Sequence, residues 1–230
     1  MPAPHAVTDR AIHAIKQMII DGDLAPADRL PPEKELAERI GVSRNSLREA
    51  VKALSLVRVL DVRQGDGTYV TSLAPSLLVE SLGFILDLHQ GSGEEQILEV
   101  RRLLEPTAVE QACPHLDEAD FARLEQLMVD LSEHSSVEEL VQADIEFHQL
   151  ITSRCPNDYL SSMLEGLASA TARARVWRGL TEASAVDATL AEHRRILDAL
   201  RLRRGDLARV HAAAHIGGVE SWILKGAAVD

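Results

Sequence analysis

Residues 30–51, LPPEKELAERIGVSRNSLREAV, restrict the possible folds more than any other stretch of the chain. Pro31 and Pro32 suit the approach to a helix but not its interior, so a helix is expected to start near Glu33. Gly41 stops it, because glycine enters the left-handed region at little steric cost. Ser43 then offers a hydroxyl to cap a second helix, which carries Leu47, Ala50, Val51 and Leu54 inward. Two short helices joined by so tight a turn must cross steeply, which is the helix-turn-helix arrangement.

The flanks extend this unit. Asp9 to Gly22 reads as a helix with Ile12, Ile15, Met18 and Ile19 on one face. DGDLAPADRLPP, rich in Pro, Asp and Gly, reads as a loop. Val59–Arg63 and Thr68–Thr71 are β-rich runs separated by QGDG, a hairpin signal. Three helices and a hairpin make a winged helix-turn-helix over residues 1–71. In such a unit the N-terminal end of the recognition helix enters the major groove, which places Arg44, Asn45 and Arg48 against base edges. The fork of arginine suits guanine O6 and N7, and asparagine suits adenine or a phosphate. Lys34 would reach a phosphate or base edge alongside, with Gln64 and Gly65 at the wing tip against the minor groove.

The formal charge of −12 is unusual for a chain that grips phosphates, but it is unevenly distributed. Residues 1–74 hold 10 Lys+Arg and 10 Asp+Glu and sum to zero; residues 75–230 hold 14 and 26 and carry the whole excess. The start, MPAPHAVTDRAIHAIK, lacks a basic segment followed by an apolar run, so no secretory leader is expected. No apolar run approaches the roughly 18 residues that cross a bilayer. A cytoplasmic protein with no membrane partner is expected, with Cys113 and Cys155 as reduced, semi-buried thiols.

After a linker at 72–76 the strand signals cease. Helical periodicity runs through 76–89, 94–112, 117–134, 137–153, 157–179, 182–204 and 206–227, divided by short breakers such as GSG at 91–93 and Gly205-Asp206. Residues 77–230 are therefore expected to form an all-α antiparallel bundle of about seven helices. Asp144 and His148, four residues apart, share a helix face about 6 Å apart at Cβ. His193 and His215 lie on two later helices and could converge with them inside a bundle, as metal ligands do in such folds. His211, at the same i,i+4 spacing from His215, is the alternative last ligand. An N₃O set suits Zn²⁺, Ni²⁺, Mn²⁺ or Fe²⁺.

The string from LPPEKELAERIGVSRNSLREAVKAL to GDGTYV resembles the signature of GntR-family repressors across nearly all of residues 8–71. That resemblance implies DNA contacts at Lys34, Arg44, Arg48 and Gly65, with lysine at 34 where arginine is more frequent, which loses the bidentate fork. Residues 76–227 resemble the FadR-type C-terminal (FCD) domain of the same family. The carrying motifs are Glu99-x-Arg101-x₃-Glu105, Asp144-x₃-His148, Asn157 at a helix start, Glu192-His193 and a C-terminal histidine; Cys155-Pro-Asn157 departs from the usual Ser-Gly-Asn turn. The resemblance implies a divalent metal, zinc foremost, on Asp144, His148, His193 and His215. It implies a small carboxylate effector (a hydroxy acid or sugar acid) on the metal's open positions, with Arg101 as second anchor. Arg173, Arg175, Trp177 and Arg178 line the same cavity or face water. The expected protein is a regulator, not an enzyme, that binds double-stranded DNA at a palindromic operator as a homodimer. The rival readings are a purely structural metal, and a metal-dependent enzyme fused to a DNA-binding domain. The enzyme would need a general base beside the metal.

Overall fold

The computed structural model describes residues 4–77, 94–131, 136–172 and 185–227. The chain divides into two compact units, Met1–Leu77 and Leu78–Asp230. Most of the expected helix at 76–89, and all of Arg173, Arg175, Trp177 and Arg178, lie outside the described residues.

The first unit holds α1 (Pro4–Ile20), α2 (Glu33–Ile40), α3 (Arg44–Leu56), β1 (Leu60–Arg63) and β2 (Gly67–Val70). Helix α1 starts five residues before the expected Asp9, because Pro4 is tolerated in a first turn, where its missing N–H has no helical partner anyway. Ala11, Ile15 and Met18 of α1 meet Leu36 and Ala37 of α2, Leu47, Ala50 and Leu54 of α3, and Leu60 and Val70 of the hairpin. Ile12, Ile19 and Val51 flank this core, half-buried. Gly41 adopts φ 73° and sends its N–H back to the Ala37 and Glu38 carbonyls. Ser43 Oγ accepts from the Ser46 N–H at 3.0 Å, capping α3 as expected.

The hairpin pairs antiparallel, from Leu60 with Val70 to Arg63 with Gly67. The loop over residues 21–32 stands, with one addition that its composition did not announce. The stretch read as a plain loop runs along β2 and adds an edge to the wing. Arg29 bridges Tyr69, Leu30 N donates to Thr68 O at 2.8 Å, and Val70 N donates to Asp28 O at 2.9 Å. Sheet pairing needs only backbone donors and acceptors, so Pro- and Asp-rich composition did not forbid it. The Arg29 side chain then passes over Gly67, where a Cβ would stand 2.5 Å from its Nε. Its Nη2 donates to the Asp66 carbonyl, and Tyr69 Oη donates to Asp66 Oδ2 at 2.9 Å.

The second unit comprises α4 (Glu94–Ala112), a 3₁₀ turn (Cys113–His115), α5 (Glu118–Val129), α6 (Val137–Thr152), α7 (Asp158–Ala170), α8 (Ala185–Arg201) and α9 (Gly205–Ala227). Capping boxes start α5 (Asp117 with Asp120) and α6 (Ser136 with Glu139). Helix α5 ends five residues before the expected 134: Asp130 is its C-cap, and Leu131, the last apolar residue of the run, lies beyond it. Helix α4 packs on α6, α7 and α9, and α8 packs on α9. Gly205 opens α9 so close to α4 that a Cβ would lie 3.0 Å from the Glu110 carbonyl oxygen. Phe121, Leu124, Phe147, Ile151, Ile196, Leu197 and Leu200 form much of the core. Both cysteines are free and buried. Among the described residues no helix is long and apolar enough to cross a membrane.

Candidate metal centre and nucleic-acid interface

In the first unit the residues expected to read DNA are exposed. Arg44 and Asn45 occupy the first turn of α3, Arg48 follows one turn on, and Lys34 is the second residue of α2. Gln64 and Gly65 form the wing turn, with Gly65 at φ 78°. A cleft lined by Pro32, Glu33, Leu47, Gln64 and Gly65 runs between the helices and the wing. Arg48 places Nε and Nη2 on Glu33 Oε2, each at 2.8 Å. Sequence reasoning did not single out Glu33, since nothing in a residue string shows that the start of α2 faces the first turns of α3.

In the second unit Asp144, His148, His193 and His215 converge, with one potential ligand atom from each lying within 4.8 Å of all the others. All four are buried, at 2–6% exposure. The helical spacing puts Asp144 and His148 on the inner face of α6; α8 contributes His193 and α9 contributes His215. His211 is half-buried one turn earlier and outside the cluster. Asp144 Oδ1 lies 3.7, 3.0 and 3.5 Å from Nε2 of His148, His193 and His215 in turn. Ligands about 2.1 Å from a common first-row ion stand about 3.0–3.4 Å apart in octahedral or tetrahedral arrangements, so the three distances from Asp144 are close to coordination spacing. Nε2 of His148 and Nε2 of His193 are buried and, their contacts with Asp144 apart, make no well-directed hydrogen bond among the described residues. Buried polar atoms are rarely left so, and these two point to a cation's place.

Two carboxylates stand behind the ring. Glu105 Oε1 lies 2.6 Å from Nδ1 of His148, an ion-pair contact off the in-line direction of a hydrogen bond. Glu105 Oε2 accepts from Nε and Nη2 of Arg101 at 3.0 and 2.8 Å, and Arg101 Nη1 donates to Thr171 Oγ1 at 2.8 Å. Glu192 Oε2 lies 2.9 Å from Nδ1 of His215. Phe147 stacks on His193 with ring centroids 4.2 Å apart. Burial opposes ionisation of Glu105, yet Arg101 and His148 hold its carboxyl well below the usual carboxylate range. Burial pushes His193 down to about 4. Burial works against a charge on His215 too, but Asp144 and Glu192 raise it to about 9.

Arg101 is thus buried, not solvent-facing, and reaches the cluster through Glu105. Three of its five N–H groups have acceptors among the described residues, two on Glu105 and one on Thr171. Its neighbour Arg102 pairs with Glu220 at 2.7 Å. The bracing roles of Glu105 and Glu192 went unread in the sequence. The i,i+4 step from Arg101 to Glu105 was the available signal for the first.

Residues 7–70 match the bacterial regulatory proteins of the gntR family, and residues 96–218, more than half the chain, match the FCD domain. The chain belongs to the GntR family and carries an FCD domain. Its relatives include the HTH-type transcriptional regulator LutR of Bacillus subtilis, 29% identical over 215 residues (91% of this chain, 97% of that one). The galactonate operon transcriptional repressor of Escherichia coli is 27% identical over 218 residues (91% and 93%). The solved structure of Streptococcus agalactiae GntR superposes with a TM-score of 0.64 at 25% identity, covering 93% of this chain and 99% of that one. This GntR-family chain is accordingly a DNA-binding transcriptional regulator of winged helix-turn-helix plus all-α architecture, and not an enzyme.

Proposed function

We propose that the protein is a repressor that binds a palindromic operator as a homodimer and answers to a small carboxylate held at a divalent metal in its FCD domain. The single observation that carries the metal reading is the convergence of three buried imidazoles on the Asp144 carboxylate, with Nε2 of His148 and of His193 making no well-directed hydrogen bond among the described residues. Asp144, His148, His193 and His215 would hold the ion, zinc foremost, with nickel, manganese or iron(II) as alternatives. Such an ion would supply a Lewis-acidic partner for a carboxylate oxygen. Glu105 and Glu192 orient the rings of His148 and His215, as outer carboxylates do for metal-bound imidazoles. The two N–H groups of Arg101 without acceptors among the described residues suit it as the effector's second anchor. Hydroxy and sugar acids are the favoured class; named relatives include regulators of galactonate, Uxu and, putatively, L-lactate dehydrogenase operons.

In residues 1–71, Arg44, Asn45, Arg48, Lys34, Gln64 and Gly65 meet DNA. The homodimer follows from operator symmetry, because one module reads only a few base pairs. Sedimentation showing a monomer both free and on DNA contradicts it. The effector must bind the DNA-competent and DNA-incompetent arrangements unequally; the sign favoured here is release of DNA.

Metal analysis and calorimetric titration with hydroxy and sugar acids test the sensing site. His148→Ala is expected to lose metal and effector together. Arg101→Lys keeps a cation beside Glu105 without the planar fork, and is expected to keep metal and lose effector affinity. Wild-type effector affinity in metal-free His148→Ala protein would show that the metal is not the receptor.

A further inference from the structure

Glu33 puts a carboxylate on the cleft wall between the helices and the wing, the face proposed above to meet DNA. An acid there repels DNA unless it has another task. Its geometry supplies one. Oε2 engages Arg48 from the side, through Nε and Nη2 at 2.8 Å each. A guanidinium has five N–H groups in a rigid plane. The side-on contact therefore leaves the outer edge, formed by the two terminal nitrogens, for a second planar acceptor. That edge carries the parallel donors needed for guanine O6 and N7. Arg48 has a long, flexible stem, and the carboxylate on the first residue of α2 gives its guanidinium one preferred placement.

We propose that Glu33 is a positioning residue for base reading: it holds the Arg48 guanidinium side-on, so that the outer edge meets a guanine in the operator. The inference rests on Arg48 reading a base. It makes Glu33 a determinant of specificity that works against raw affinity, because its charge weakens the grip on every sequence while sharpening the choice among them.

The test uses the full-length protein and a library of randomised duplexes. Selection with wild type and Arg48→Ala identifies the position at which Arg48 expresses a preference. Binding to the preferred duplex and its single-base variants is then measured at two salt concentrations for wild type, Glu33→Ala, Glu33→Gln, Arg48→Ala and Glu33→Ala/Arg48→Ala. Discrimination by a well-held bidentate arginine is about ten- to a hundredfold. Glu33→Ala is expected to cut discrimination at that one position by about threefold or more while tightening binding to unrelated duplexes. Glu33→Gln, which keeps an acceptor oxygen, restores part of the discrimination. The double variant discriminates no worse than Arg48→Ala. Unchanged discrimination at that position in Glu33→Ala, or an equal change at every position, overturns the proposal. If Arg48→Ala leaves the selected sequences unchanged, the underlying assignment of Arg48 fails instead. Glu33 is exposed, and matching thermal melts of the variants confirm that folding is not what changes.

Discussion

Glu105→Ala probes how the buried charges of the FCD domain depend on one another. Glu105 is 2% exposed, accepts two hydrogen bonds from Arg101, and lies against His148. Removing its carboxylate leaves the buried Arg101 guanidinium with Thr171 as its remaining acceptor among the described residues. Breaking one side of a buried ion pair costs about 3–5 kcal/mol, which in a domain of this size lowers the melting temperature by about 6–20 °C. His148 also loses the group that orients its ring, and loss of such a partner weakens metal affinity about 10- to 100-fold. Calorimetric melting and competitive metal titration read the two effects separately. Arg101→Met/Glu105→Leu removes both charges and is expected to melt above Glu105→Ala, because the penalty lies in the unpaired charge and not in the absence of the pair. A Glu105→Ala protein that melts within about 2 °C of wild type, or a double variant less stable than the single one, refutes this reasoning.

Arg44→Ala/Arg48→Ala is expected to lose about ten- to a hundredfold or more in operator preference, whereas Lys34→Ala weakens binding to all duplexes and flattens the salt slope; undiminished preference in the double variant contradicts the assignment. Gly205→Ala is expected to cost about 1–3 kcal/mol, since its methyl group meets the Glu110 backbone oxygen; an unchanged denaturation midpoint tells against the close approach of α9 and α4. Asp120 accepts from Arg154 at 2.7 and 2.9 Å, and these bonds lower its carboxyl below the ordinary value despite the opposing effect of burial. A depressed folded-state pKa stabilises fully above the unfolded value of about 3.9 and is lost as pH falls through the folded value. The stability gap between wild type and Asp120→Asn should therefore narrow on acidification below about pH 4, and a pH-independent gap contradicts the pairing.

Much of the fold was legible because its signals are local. Gly41, Ser43 and the apolar spacing of α3 act within a few residues, so the helix-turn-helix could be read directly. The buried His/Asp cluster was legible for a different reason. Asp144 and His148 share a helix face by spacing alone, while His193 and His215 needed the family resemblance to join them. Choosing between His211 and His215 needed packing, since both lie on α9 one turn apart and only the rotation of that helix against α4 and α8 decides which faces the cluster. The edge formed by residues 28–30 was hidden because a single bridge has no periodicity. Glu33, Glu105 and Glu192 were hidden because each acts on a residue of another helix, and acidic residues on helices are ordinary.

The seam between Arg29 and the wing bears on the cost of association. A hairpin tip of QGDG would ordinarily be a loose appendage that loses conformational freedom when it docks on a duplex. Here the Asp66 carbonyl and carboxylate are already claimed by Arg29 and Tyr69, and Gly67 lets the arginine through. The segment that leads into α2 and the tip that follows β1 are thus latched together before any duplex arrives. Little entropy would remain to be lost there, so a wing that docks on a duplex would do so as a preorganised surface.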